Sequence, residues 1–205
     1  MNLQLTVGQL RKLFELENSD RNDALVLREV VYDTRTLAKG EGKIFFALSG
    51  KYRNGASFVE DAYKKGVRVF VVEQVPDEAH LDAVYLKVND SLDALMRLAK
   101  WHREHFNIPI IAVVGTHGKT TIKEWLGSLL KRKYKLVKSP KSYNSKLGAA
   151  LSILELHSSA DIGLFELSIS LPNEGEVLKD MLAPTHVVVG HIGDRYNENF
   201  SEKNG

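Results

Sequence analysis

Seven consecutive residues, Gly115-Thr116-His117-Gly118-Lys119-Thr120-Thr121, have the types and order that hold a chain of phosphates. Glycines let the backbone approach an anion closely. A lysine in this place reaches β- and γ-phosphates, and the hydroxyl of Thr120 can ligate Mg²⁺. The general pattern G-x-x-x-x-G-K-[ST] asks for glycine at 113, where Val113 stands; Gly115 comes two residues later. The plainer alternative is a glycine-rich turn that happens to precede a helix beginning Lys-Thr. Glu166 ends an apolar run, where a carboxylate is costly unless it has a partner; its alternative is an exposed glutamate at a strand end. Asp33-Thr34-Arg35 is a polar turn that could be a surface ion pair. Asn144 and Ser145 precede a helix-like stretch that either could cap. The backbone N–H of His117 serves the loop whatever its side chain does, and His102, His105 and His157 read as solvated.

Strand-like and helix-like runs alternate along the chain, which is the pattern of an α/β protein. In the first region 43–48, 67–73 and 84–88 read as strands, with a short helix over 57–65 that Gly66 can end. A helix over 91–106 follows, with Leu92, Leu95, Ala99 and Phe106 near one face and Ser91 able to cap it. Asn107-Ile108-Pro109 breaks it. Residues 110–114, Ile-Ile-Ala-Val-Val, form a strand buried on both faces, as in a parallel sheet. A helix over 120–130 comes next, with Ile122, Trp125, Leu126, Leu129 and Leu130 on one side. Then come a helix over 147–156, a strand over 162–167, a helix over 174–181 and a strand over 185–189. From 108 onward the order is strand, helix, helix, strand, helix, strand, as in a nucleotide-binding sheet wound from βαβ units. The phosphate loop therefore leaves a buried strand and opens a helix, whose N-terminus adds its own anion affinity. The expected organisation is an N-terminal domain over 1–88, a linker helix over 89–107 and a partial ATP-binding domain over 108–205.

Composition excludes several classes. With 28 basic and 26 acidic residues the net charge is +2, which gives no electrostatic case for nucleic acid or a membrane surface. There is no cysteine, hence no disulfide and no Cys-based zinc or redox site. The first ten residues lack a basic n-region and a long apolar core. The most apolar stretch, 108–115, is far short of the roughly 20 residues needed to span a bilayer. A cytoplasmic protein without membrane insertion is expected.

The form Gly115-Thr116-x-Gly118-Lys119-Thr120-Thr121 resembles the Mur ligase family. So do Asp33-Thr34-Arg35, Gly42-Lys43-Ile44-Phe45-Phe46-Ala47-Leu48-Ser49-Gly50 and Asn54-Gly55, which are similar to its N-terminal UDP-sugar domain; there Asn54 replaces the usual aspartate. Residues 138–148, with Tyr143, Asn144 and Ser145, resemble the family's asparagine-bearing substrate loop. Phe165-Glu166-Leu167 and Gly175-Glu176 are similar to the branch that adds D-alanyl-D-alanine. Residues 139–145, Ile192-Gly193-Asp194 and Glu198-Asn199-Phe200 resemble forms of that branch fused to an alanine racemase. The resemblance implies a small α/β UDP-sugar-binding domain, then a P-loop-type, mostly parallel central sheet with flanking helices. It implies ATP and Mg²⁺ as cofactors, with UDP-muramoyl-peptide and D-alanyl-D-alanine as substrates. The reaction would form an amide in peptidoglycan precursor synthesis through an acyl phosphate. Gly115, Thr116, His117, Gly118, Lys119, Thr120 and Thr121 would bind ATP, and Lys119 and Glu166 would serve catalysis. Thr120 and Glu166 would hold the metal, and Asp33, Thr34, Arg35, Asn144 and Ser145 would bind substrate.

The sequence departs from the family pattern near its end. His191 stands where asparagine is usual and Tyr196 where histidine is usual, and a neutral phenol is a poor Mg²⁺ ligand. The carbamylated lysine and C-terminal domain of the family lie beyond Gly205, so an N-terminal fragment is expected, inactive in ligation by itself and partnered by the C-terminal domains of the same polypeptide. The competing readings are a non-catalytic nucleotide or UDP-sugar binding module, a relative that adds a single amino acid, and an unrelated P-loop kinase.

Overall fold

The computed structural model describes residues 3–17, 22–50, 53–171 and 173–193. The chain divides into two compact units, Met1–Leu98 and Ala99–Gly205.

In the first unit, β1 (Leu5–Thr6) leads into α1 (Val7–Leu13), which Thr6 and Gln9 start with a reciprocal capping box. β2 (Val26–Leu27) pairs antiparallel with β1. β3 (Glu29–Val31) precedes a 3-10 turn at Thr34–Thr36, then β4 (Lys43–Phe46) and the short hairpin of β5 (Ser49–Gly50) and β6 (Arg53–Asn54). A second 3-10 turn, Gly55–Phe58, runs into α2 (Val59–Lys64), followed by β7 (Val69–Val72) and β8 (Val84–Lys87). The main sheet has the order β3-β4-β7-β8, all parallel. α2 closes as the glycine at 66 predicts: Gly66, at φ +95°, donates to Tyr63 O and Val67 to Ala62 O. Val31, Phe45, Ala62, Phe70 and Val72 form the core beneath it.

The division between units falls inside α3 (Ser91–Glu104). Its cap differs from the expectation. Asp90 accepts from the N–H groups of Leu92 and Asp93, while Ser91 is turned inward and donates its hydroxyl to Glu73. Aspartate takes the capping place because its carboxylate reaches two orphan amides at once.

The second unit contains β9 (Ile110–Val114), α4 (Lys119–Leu130), β10 (Leu136–Lys138), α5 (Lys146–Ile153), β11 (Ile162–Glu166), α6 (Glu174–Leu182) and β12 (His186–Val189). The sheet order is β10-β11-β9-β12, every pair parallel. The expected order omits β10, whose three residues are too few to show a period. The α4 face is also corrected. Trp125 and Leu129 are 70% and 62% exposed, whereas Lys123 and Gly127 are buried. His102 is likewise not solvated: it is buried, with Nε2 on the Leu156 carbonyl. Arg103, also buried, closes the end of α6 by donating to the carbonyls of Leu182 and Ala183.

β9 and β11 are neighbours, yet the chain leaves β9 toward β10 and leaves β11 toward β12. Their C-terminal ends thus flank a topological switch point, where open parallel sheets bind ligands. No helix among the described residues is long and apolar enough to cross a membrane.

Candidate functional site

The loop between β9 and α4, with the first turn of α4, carries Gly115–Thr121, the residues expected to bind phosphate. Gly115 and Gly118 have φ of +137° and +75°, a region that favours glycine. Gly118 caps α4, so the first amides of that helix, which have no partner within the helix, face the end of the sheet. The loop is fastened from the far side: His191 O accepts from both the N–H and the hydroxyl of Thr116, and Gly193 N donates to that same hydroxyl. His191 thus serves through its backbone, and its ring centroid is 6.3 Å from that of His117. Lys119 folds over the loop, with Nζ 2.8 Å from Gly115 O and 3.2 Å from Thr116 O. It lies where phosphate oxygens could replace two backbone carbonyls. His117 and Thr121 are exposed.

Glu166 comes to the same place from β11, whose register sets it opposite Val113. It is 1% exposed, which settles against a solvated strand end. Oε2 accepts from the Thr120 hydroxyl at 2.9 Å and Oε1 from the Asn144 amide at 2.8 Å. Its backbone N–H donates to the hydroxyl of Ser139, which is fully buried. Ser142 Oγ lies 3.4 Å from Thr120 Oγ1. Lys123 Nζ is 3.6 Å from Oε2. Gly115, Lys119, Thr120, Glu166 and Asn144 therefore converge. Ser145 instead caps α5 by accepting from Gly148 N, so the alternative of a helix cap holds for Ser145 and not for Asn144.

The donor set bears on the metal. Thr120 and Glu166 present two hard oxygens, and among the described residues no group of three or more His, Asp or Glu side chains could hold an ion. Mg²⁺ suits such a place, since it keeps several waters and takes one or two protein oxygens together with phosphates.

In the first unit, Asp33 caps the 3-10 turn by accepting from Arg35 N, and the Arg35 guanidinium forks onto the same carboxylate at 2.5–3.1 Å. That pairing raises the arginine's pKa, chiefly through the side-chain hydrogen bond. Thr34 is buried, and its carbonyl accepts from Lys65 Nζ. Elsewhere in this unit, Glu73 accepts from Ser91 N, Ser91 Oγ and Ser49 Oγ, and the Ser91 amide first among these holds its carboxyl below the usual range.

Sequence reasoning missed Ser139, Ser142 and Lys123. Lys123 has a signal of a kind, since it stands four residues after Lys119 and shares its helix face. Asp194, Tyr196 and Glu198-Asn199-Phe200 lie outside the described residues.

The residues that carry this sheet, loop and carboxylate have known counterparts. Residues 113–203 match the Mur ligase middle domain. Among the proteins the chain is similar to are D-alanyl-D-alanine-adding ligases, the MurF enzymes. UDP-N-acetylmuramoyl-tripeptide–D-alanyl-D-alanine ligase of Bacillus subtilis (strain 168) is 30% identical over 181 residues, covering 88% of this chain and 39% of the relative. A crystal structure of MurF from Acinetobacter baumannii aligns with a TM-score of 0.82 at 27% identity, covering 92% of this chain and 41% of that one. MurF from Thermotoga maritima, solved in complex with ADP, aligns at 0.72 and 28% identity, covering 81% and 38%. The chain thus spans about two fifths of the length of the proteins it matches.

Proposed function

We propose that this chain supplies the UDP-muramoyl-substrate unit and the ATP-binding loop of an ATP-dependent acid–amino-acid ligase. The reaction joins D-alanyl-D-alanine to UDP-N-acetylmuramoyl-tripeptide. The observation that carries this reading is the buried Glu166, held by Thr120 and Asn144 beside the phosphate loop. A carboxylate that becomes an acyl phosphate must meet a triphosphate, so the site has to neutralise two anions that repel each other. Lys119 and the first amides of α4 hold the phosphates. Thr120 and Glu166 would hold Mg²⁺, which would supply charge neutralisation there. The tripeptide carboxylate takes the γ-phosphoryl group and ADP leaves; the amine of D-alanyl-D-alanine then attacks the acyl carbon and phosphate leaves. For UDP-muramoyl-peptide binding, the first unit contributes Asp33, Thr34 and Arg35, and the second contributes Asn144 and Ser145, the latter while also capping α5. Ligation belongs to a polypeptide of the relatives' full length, in a cytoplasmic setting.

Titration of Mg·ATP into the 205-residue chain tests the phosphate site. Lys119→Ala is expected to weaken binding at least tenfold, about 1.4 kcal/mol. Equal binding by both proteins removes the loop lysine from the site. In a polypeptide extended to the relatives' length, phosphate release should require both UDP-muramoyl-tripeptide and D-alanyl-D-alanine. Release with a single amino acid as acceptor contradicts the dipeptide assignment, and absence of release under all conditions favours a binding module.

A further inference from the structure

Lys123 is a charged side chain to which the proposed reaction gives no role, and it has no exposed surface. Lysine is almost never fully buried unless it is paired. It lies three residues after Thr120 and four after Lys119, so one face of α4 presents all three. Its ammonium donates to the carbonyl of Lys141. It also stands 3.6 Å from Glu166 Oε2 and 3.5 Å from Glu124 Oε1, and Glu124 in turn pairs with Lys138.

The carbonyl it holds is not an ordinary one. Lys141 has φ +48°, a left-handed conformation that a non-glycine residue adopts when its surroundings impose it. This turn sits in the middle of 139–145. To one side Ser139 takes the Glu166 amide; to the other Ser142 approaches Thr120 and Asn144 grips Glu166. One ammonium therefore joins the phosphate-loop helix, the end of β11 and the turn that carries the asparagine.

We propose that Lys123 is a positioning residue that fastens 139–145 and the Glu166 carboxylate to α4, so that Thr120 and Asn144 are aimed at one carboxylate before any ligand binds. Its use in ligation rests on the function proposed above, whereas the preassembly is a property of the free chain.

Amide hydrogen exchange on the ligand-free chain tests it. The reporters are the N–H groups of Tyr143, Asn144 and Ser168, bonded to Pro140, Ser142 and Asn144 carbonyls; the references are Gly163 and Thr185, bonded to Pro109 and Ile110 carbonyls in the sheet. Lys123→Met keeps the side chain's length and removes its donor. Lys123→Met/Glu166→Gln removes both buried charges, and is the variant to use if the single one fails to fold. In either, the reporters should exchange at least tenfold faster relative to the references. In Lys123→Met, the Mg²⁺ needed for half-maximal ATP binding should rise at least threefold. Reporters that keep their wild-type rate relative to the references overturn the proposal. So does a loosened turn with an unchanged Mg²⁺ requirement. If the wild-type chain binds no nucleotide, that failure belongs to the proposed function, and the exchange ratio alone decides for or against Lys123.

Discussion

Replacing Glu166 with alanine tests whether the carboxylate is the keystone of the second unit or only a neighbour within it. The change removes the acceptor of the Thr120 hydroxyl and of the Asn144 amide, and it strips Lys123 of its buried counter-charge. The two hydrogen bonds contribute little net, since Thr120 and Asn144 are half-exposed and water can replace their partner. The ammonium is different: Lys123 has no exposed surface, and removing one member of a buried pair costs about 3–5 kcal/mol. Glu124, 3.5 Å away but 45% exposed at its side chain, offsets part of this, so the lower end, about 3 kcal/mol, is expected. The assay is urea unfolding followed by tryptophan fluorescence. Both tryptophans, Trp101 and Trp125, lie in the second unit, so the signal reports on it alone. Trp125 is already 70% exposed, which leaves Trp101, 4.3 Å from the His105 ring, as the main reporter. At a slope of about 1 kcal/mol per molar urea, the midpoint should fall by about 3 M. Adding Lys123→Met to Glu166→Ala should then recover at least half of the loss, because the stranded charge is gone. A loss under about 1 kcal/mol, or no recovery in the double variant, refutes the reasoning, since Lys123 would then be satisfied without Glu166.

Two further outcomes are expected. A Cβ at Gly148 would lie 2.8 Å from the Cα and carbonyl carbon of Tyr143. Gly148→Ala should therefore push the 139–145 turn away and cost about 1–3 kcal/mol by the same fluorescence assay, and a neutral result would mean that the turn yields freely. Burial, opposed by its bond to the Leu156 carbonyl, holds His102 below the usual histidine pKa. The folded chain then takes up this proton at lower pH than the unfolded chain, which gains it below about pH 6.5. Its contribution is complete above that pH and falls away on acidification. Stability measured from pH 7.5 to 5 should decline more steeply in wild type than in His102→Gln, by up to about 1.4 kcal/mol per pH unit; equal slopes would refute the burial argument.

Much of the site was legible because chemistry and local structure coincide there. Gly115, Gly118 and Lys119 lie between five apolar residues and an amphipathic helix, and that combination predicts a loop at the end of a buried strand whatever else the chain does. Glu166 was legible as the end of such a strand, but its burial was not, because burial depends on partners brought from 22 and 46 residues away. β10 was missed because three residues carry no period. The inward face of α4 was misjudged for a more instructive reason. A rule that turns apolar residues inward places Trp125 and Leu129 in the core. In the structure they are exposed, and the buried positions are Lys123 and a glycine. Lys119 and Thr120 must face the end of the sheet for the loop to work, and 3.6 residues per turn then carry position 123 inward behind them, whatever its polarity. The site thus fixes the rotation of the helix, and the hydrophobic pattern yields to it. A lysine can occupy that place because Glu166 and the Lys141 carbonyl are there to receive it. The disagreement between pattern and burial on α4 therefore points to the same cluster of residues as the phosphate-loop motif does.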